Sequence, residues 1–349
     1  MNAIVIRADA SAAQGTGHVM RCLALALALR ERGVEATLAA AECPAALLER
    51  VRSEGLGVVR IASEIGTTGD SAETLAVARE AGAEWVLTDG YRFDLDYQRA
   101  LRGGGLRLAL IDDFAHLDRY EADLLLNQNS HARAEDYPGA ERALLGPTYA
   151  LLRPEFVDAL RQRPVKAQRS RADRVLVTMG GSDPGNATVR IIEALRELRD
   201  GPSETRVIVG AANPHRSAVD AAASGLPGCR VLDPVKDMVP MLEWAELAVC
   251  AGGSTLWEMA AFGVPAACVI LAENQAPIVA DLVRRGMVCS LGWDRDLEAV
   301  SCAGALAALL EDGRRREYMG AAGRRLVDGS GAARVAAALA EGGQSPSPD

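Results

Sequence analysis

Apolar and polar positions along the chain fall into two alternating rhythms. Short runs rich in Val, Ile, Leu and Ala, apolar at nearly every position, are the pattern of strands buried on both faces. They are separated by longer Ala/Leu/Arg/Glu segments whose apolar residues recur at helical spacing. In the first half the strand-like runs are 3–7, 35–39, 58–61, 85–88, 107–111 and 123–126, with helix-sized segments such as 19–32 and 72–81 between them. From about 151 the pattern decays into a charged stretch with Pro154, Pro164, Arg161, Arg163, Lys166, Arg169 and Arg171. A second series follows at 174–179, 205–209, 230–232, 247–250, 266–270 and 288–291.

Strands alternating with helices predict parallel sheets, and two series predict two of them. The expected architecture is α/β: two Rossmann-like, doubly wound domains with the active site in the cleft between them. The boundaries read as 1–153 for an N-terminal catalytic domain, 154–173 for a linker and 174–328 for a C-terminal nucleotide-binding domain. A C-terminal helix at 329–341 and a disordered Gly/Ser/Pro tail at 342–349 complete the expectation.

Composition narrows the function classes. A length of 349 residues suits two domains of ordinary size. A formal net charge of -9 without a basic stripe excludes a partner held by phosphate neutralisation along nucleic acid. Every apolar run is interrupted by Glu, Asp or Arg, so no membrane span is expected, and the opening residues lack a leader pattern. The seven cysteines are dispersed and lack metal spacing, so they read as reduced core residues in a cytoplasmic protein, with no metal and no cofactor expected. The expected partner is a small molecule, and the expected state is a monomer.

Candidate chemistry lies on loops that follow strands. After the first strand, Gly15-Thr16-Gly17-His18 leads into a helix, where glycines permit close ligand approach and the helix N-terminus offers N–H donors. The third glycine and the acidic residue of a dinucleotide fingerprint are absent, which excludes NAD. His18 then stands at the carboxyl end of the first strand, where open α/β sheets bind ligands. Asp89-Gly90-Tyr91, Asp112-Asp113-Phe114 and Asn127-Gln128-Asn129 converge on the same edge. For Asp89 and Asp112 capping is as good a reading as catalysis, and for Tyr91 packing is as good a reading as contact with a sugar hydroxyl or a water.

In the second half, Gly180-Gly181-Ser182-Asp183-Pro184-Gly185-Asn186 is another glycine-rich loop that reads as aimed at an anion. Gly252-Gly253-Ser254-Thr255 can present backbone and hydroxyl donors to a diphosphate at a helix start. Glu258, one turn on, can accept both hydroxyls of a ribose or serve as a capping glutamate.

The run Gly252-Gly253-Ser254-Thr255-Leu256-Trp257-Glu258, with Gly263 and Pro265, resembles the nucleotide-binding segment of GT-B sugar-nucleotide enzymes, including the UDP-N-acetylglucosamine transferase of peptidoglycan synthesis. Arg7-Ala8-Asp9-Ala10-Ser11, Gly15 to Cys22, Tyr149 to Phe156, Met179 to Pro184 with Asn186, and Glu273-Asn274-Gln275 are together similar to the UDP-2,4-diacetamido-2,4,6-trideoxy-β-L-altropyranose hydrolase family of pseudaminic acid synthesis. The resemblance implies metal-independent, inverting hydrolysis of a UDP-linked diacetamido sugar, a step that feeds flagellin glycosylation. It implies His18 as the general base, with Tyr91 beside it in the sugar pocket. Gly15, Gly17, Arg21, Asn274 and Gln275 would face the substrate. Gly181, Asn186, Val235, Gly253, Ser254, Thr255 and Glu258 would hold UDP. Where the family carries Asp-His-Tyr, this chain has Asp89-Gly90-Tyr91. A glycosyltransferase using a UDP-sugar donor, and a nucleotide-sugar binder without catalysis, remain open on the same residues.

Overall fold

In the computed structural model, which describes residues 1–11, 15–162, 169–235 and 237–341, both series of strands form parallel sheets. The first comprises β1 (Ala3–Ala8), β2 (Glu35–Ala40), β3 (Gly57–Arg60), β4 (Trp85–Asp89), β5 (Arg107–Ile111), β6 (Leu124–Asn127) and β7 (Ala143–Leu145), in the order β3-β2-β1-β4-β5-β6-β7. The second comprises β8 (Arg174–Thr178), β9 (Glu204–Ile208), β10 (Cys229–Leu232), β11 (Leu247–Ala251), β12 (Ala266–Ile270) and β13 (Val288–Trp293), in the order β10-β9-β8-β11-β12-β13. Strand order reverses between β1 and β4 and again between β8 and β11. These are the switch points, where crossover helices diverge and leave a crevice at the carboxyl ends of the strands. β1, β4, β11 and β12 are buried at every position; β11 and β12 are apolar throughout, whereas β1 and β4 bury Arg7 and Asp89 at their carboxyl ends.

Two elements differ from the sequence expectation. The three-residue β7 is too short to carry a period and was not expected. The stretch expected as linker begins with a helix, Pro154–Gln162. Proline there is a helix starter rather than a breaker, because the first helical N–H has no partner to lose. Its Phe156 is fully buried, with its ring 6.0 Å edge-on from Phe262. The expected disordered tail at 342–349 lies outside the described residues, as does 163–168 of the linker.

The chain divides into two units, Met1–Pro154 with Gly329–Asp349, and Glu155–Asp328. The C-terminal helix Gly331–Glu341 thus returns to the first unit. Its Val335, Ala336 and Leu339 are buried in one apolar cluster with Leu25 and Leu29 of the helix Gly17–Arg30. Gly331 permits this return: a Cβ there would overlap the backbone oxygen and nitrogen of Ala150. Gly331→Ala is expected to destabilise the first unit by about 1–3 kcal/mol through overpacking, read as a lower midpoint in thermal or urea denaturation.

Candidate active site

At the β1/β4 switch point one face of the helix Gly17–Arg30 turns toward the end of β4. His18, Arg21 and Cys22 are three and four residues apart, the spacing that stacks side chains on one helix face, and all three meet Asp89. His18 Nδ1 lies 2.8 Å from Asp89 Oδ1. Arg21 donates from Nε and Nη2 to the two oxygens of Asp89 at 2.6 Å each, and from Nη1 and Nη2 to Asp113 at 2.7 and 2.9 Å. Cys22 Sγ donates to Asp89 Oδ2 at 3.4 Å. Asp89 is therefore no cap; it is the buried hub of the cluster.

The electrostatics follow from these distances. Burial pushes the Asp89 carboxyl up, but Arg21 and His18 outweigh it and hold the group well below the usual carboxylate range. Burial pushes the His18 imidazole down, and the Asp89 charge beside it outweighs that, leaving its pKa above the ordinary 6.5. An anionic Asp89 at Nδ1 favours the tautomer with the proton on Nδ1. The neutral ring then presents a bare Nε2, the state needed to take a proton.

Tyr91 stands at the rim, 36% exposed, with its ring 5.1 Å edge-on from His18 and its hydroxyl donating to Asp113 Oδ2 at 2.6 Å. Burial and the Asp113 charge push its phenol well up, so it serves as a neutral hydroxyl. Arg21, expected to face substrate, has four of its five N–H donors on two carboxylates, an arrangement suited to positioning. Asp112 does cap its loop, accepting from the amides of Phe114 and Ala115 at 2.7 Å each. Gly15 N–H donates to Ser11 O at 2.8 Å, and Gly17 opens the helix that carries His18. Near the end of β1, buried Arg7 donates to both oxygens of Asp70 at 2.8 and 2.9 Å and to Asp9 at 2.6 Å. Asp9 in turn accepts from the amides of Ala41 and Glu42 at 2.7 and 2.9 Å, which anchors the segment after β1 to the end of β2.

In the second unit two loops flank the β8/β11 switch point. The loop after β8 departs from expectation. Asp183 is buried and accepts from the amides of Ala187 and Thr188 at 2.8 and 3.0 Å and from the Thr188 hydroxyl at 2.6 Å. The chain's own carboxylate therefore occupies the helix start that was expected to receive a ligand anion. Asn186 sits in the left-handed region at φ 54°, and its buried Oδ1 has no hydrogen-bond partner among the described residues.

After β11 the situation is the reverse. Ser254, at the N-cap of the helix Thr255–Phe262, makes no side-chain capping hydrogen bond. Ser254 is exposed, and Gly253, Thr255 and Glu258 are half-buried. A Cβ at Gly253 or Gly181 would meet nothing described within 4 Å, and neither residue has a positive φ, so intramolecular packing does not explain their lack of side chains. Gln275 braces this loop: its Oε1 accepts from the amides of Gly252 and Leu271 at 3.2 and 2.9 Å. Asn274 beside it is exposed, and Val235, past the end of β10, is half-buried. Among the described residues no group of three or more His, Cys, Asp or Glu could hold a metal ion, and no helix is long and apolar enough to cross a membrane.

Residues 174–289 match the model of the glycosyltransferase family 28 C-terminal domain. The chain is 28% identical over 202 residues to the spore coat polysaccharide biosynthesis protein SpsG of Bacillus subtilis, covering 58% of this chain and 59% of that protein. It is 25% identical over 201 residues to the UDP-2,4-diacetamido-2,4,6-trideoxy-beta-L-altropyranose hydrolase of Campylobacter jejuni, covering 56% and 66%. The matches thus span about three fifths to two thirds of those relatives' lengths. Among solved structures, MurG from Acinetobacter baumannii superposes with a TM-score of 0.68 at 16% identity, covering 98% of this chain and 100% of that one. The fold is that of the GT-B enzymes. Asp113 and Asn129 lie on loops expected at this edge, though no role was expected of either; Asp70 was not expected, and its only sequence signal was an acidic residue in the first turn of a helix.

Proposed function

We propose that this chain is a UDP-sugar enzyme that hydrolyses a UDP-linked 2,4-diacetamido-2,4,6-trideoxyhexose with inversion at C1, releasing UDP and the free sugar for pseudaminic acid synthesis. The observation that carries the reading is His18 at a switch point with its Nδ1 2.8 Å from the Asp89 carboxylate, a positioned base. The likeness to the Campylobacter hydrolase supports the substrate class. The first unit supplies the base and the second the nucleotide-binding loops, through Gly253, Ser254, Thr255 and Glu258, with Gly181, Asn186 and Val235 as further contacts. Further sugar contacts are assigned to Gly15 and Gly17 in the first unit and, separately, to Asn274 and Gln275 in the second. Water loses its proton to His18 Nε2 as its oxygen bonds to C1. The C1–O bond to the diphosphate breaks with its electron pair leaving on UDP, whose charge is met by loop donors. Attack opposite the leaving group inverts the anomeric centre.

A second reading is a glycosyltransferase, favoured by the family 28 match over 174–289. There His18 deprotonates an acceptor hydroxyl in place of water. A proton NMR time course, with mass spectrometry of the products formed in oxygen-18 water, separates the two. Hydrolysis puts label in the sugar and needs no acceptor; label in UDP, or turnover only with an acceptor added, would overturn it.

The nucleotide site has its own test. Gly253→Val fills space the fold leaves open, so the variant should fold normally and bind UDP at least about tenfold more weakly. Wild-type protein at UDP one hundred times Kd should gain about 2.7 kcal/mol of stability, and the variant at least about 1.3 kcal/mol less at the same concentration.

A further inference from the structure

Beside His18 three rings form a ledge at the edge of the first sheet. Tyr91 and Phe114, 36% and 40% exposed, lie 4.7 Å apart between centroids. His116 lies 5.8 Å from Tyr91 and 5.7 Å from Phe114. Tyr91 is tethered by its hydroxyl to Asp113 at 2.6 Å, whereas the Phe114 ring has no polar group to tether it. Adjacent exposed aromatic rings on a catalytic edge are a binding feature rather than a packing one.

His116 gives the ledge a polarity. Its Nδ1 is 2.6 Å from Asp112 Oδ2, which also accepts from the Tyr120 hydroxyl at 3.0 Å. Burial pushes the Asp112 carboxyl up, but His116 and the amides of Ala115 and Phe114 outweigh it and keep the group anionic. An anion at Nδ1 takes the ring's N–H, so Nε2 of the neutral ring is an acceptor. That Nε2 is buried with no hydrogen-bond partner among the described residues. An unmet buried acceptor is destabilising, and a ligand donor would recover that cost.

We propose that Phe114 and His116 form the subsite that selects an acylamino substituent of the sugar, its methyl group on the Phe114 ring and its N–H donated to His116 Nε2. One uncharged group supplies both the apolar surface and the donor that the ledge lacks. The untethered Phe114 ring swings to admit it. This assignment rests on the UDP-sugar reading above.

The test compares kcat/KM for the UDP-diacetamido sugar with that for analogues in which one acetamido group at a time is replaced by hydroxyl. Wild type should prefer the acetamido form at one position by about 100-fold or more, because a site built around a donor rejects its absence. His116→Asn keeps an N–H for Asp112 but deletes the acceptor, and should shrink that ratio at least about tenfold. His116→Gln, which places an amide oxygen near the Nε2 position, should restore part of it. Phe114→Leu should lower the same ratio without changing the Kd of UDP. Phe114→Leu carries the test alone should His116→Asn fail to fold. Unchanged ratios in folded variants overturn the subsite while wild-type turnover leaves the reading of function standing. No turnover of any of these sugars by wild type, with or without acceptor, overturns both.

Discussion

Replacing His18 by asparagine should cut turnover of the UDP-sugar by about a thousandfold while leaving UDP affinity unchanged. Asparagine keeps an N–H to offer Asp89 at 2.8 Å but has no atom at Nε2, so what disappears is the proton acceptor rather than the local packing. General-base catalysis contributes about 10² to 10⁴ in rate, which sets the size of the loss. Single-turnover kinetics and UDP calorimetry measure the two halves of the claim. A variant within threefold of wild-type turnover would remove His18 from the chemistry. The pH profile has a definite sign. The imidazole must be neutral to act, and Asp89 raises its pKa above the ordinary 6.5, so kcat/KM should fall as pH drops through a value on the alkaline side of 6.5. Asp89→Asn removes the raising charge and leaves Arg21, which lowers the imidazole, so the limb should move to lower pH. The same shift bears on stability: a raised folded-state pKa adds stability that is fully present below 6.5 and is lost as pH rises through the folded value.

Much of this was legible in the chain. Fully apolar runs such as Leu247–Ala251 and Ala266–Ile270 announce buried parallel strands, because only strands covered on both faces can be apolar at every position. The loops carrying His18 and Gly253 follow from the same rule, since a strand that ends in glycines and turns into a helix has few other folds open to it. Partnerships across the sheet were not legible. Asp89 and Asp113 share one guanidinium although 68 and 92 residues separate them from Arg21, and no local pattern encodes such a pairing. Asp183 shows the opposite failure. Its neighbouring glycines suggested an open anion site, but a left-handed backbone at φ 45° turns its own carboxylate onto the helix amides. Gly331 is legible only in hindsight, because the need for glycine is set by the Ala150 backbone, far away in sequence.

Arg21→Met should cost about 3–5 kcal/mol of folding free energy near neutral pH, the size expected when one partner of a buried ion cluster is removed. The guanidinium makes four contacts of 2.6 to 2.9 Å to carboxylates whose side chains are 0% and 15% exposed. Methionine fills similar volume but leaves Asp89 and Asp113 facing each other, with the His18 imidazole and the Tyr91, Cys22 and Asn129 donors as remaining partners. The pH dependence distinguishes lost charge from lost packing. In the wild type both carboxyls are held below their ordinary range, so their stabilisation is present above it and is lost as pH falls through the folded values. In the variant the two carboxylates repel in a buried site and at least one folded-state pKa rises above its unfolded value. Its stabilisation then lies at low pH and disappears as pH rises. Urea denaturation of Arg21→Met should therefore show stability increasing from pH 7.5 toward pH 5, where wild type changes little or declines. Adding Asp113→Asn should recover part of the loss, because it removes the repulsion without restoring the arginine. A parallel shift of the variant's curve at all pH values, with no recovery in the double variant, would mean that Arg21 acts by filling space and not as the cation that holds Asp89 against His18.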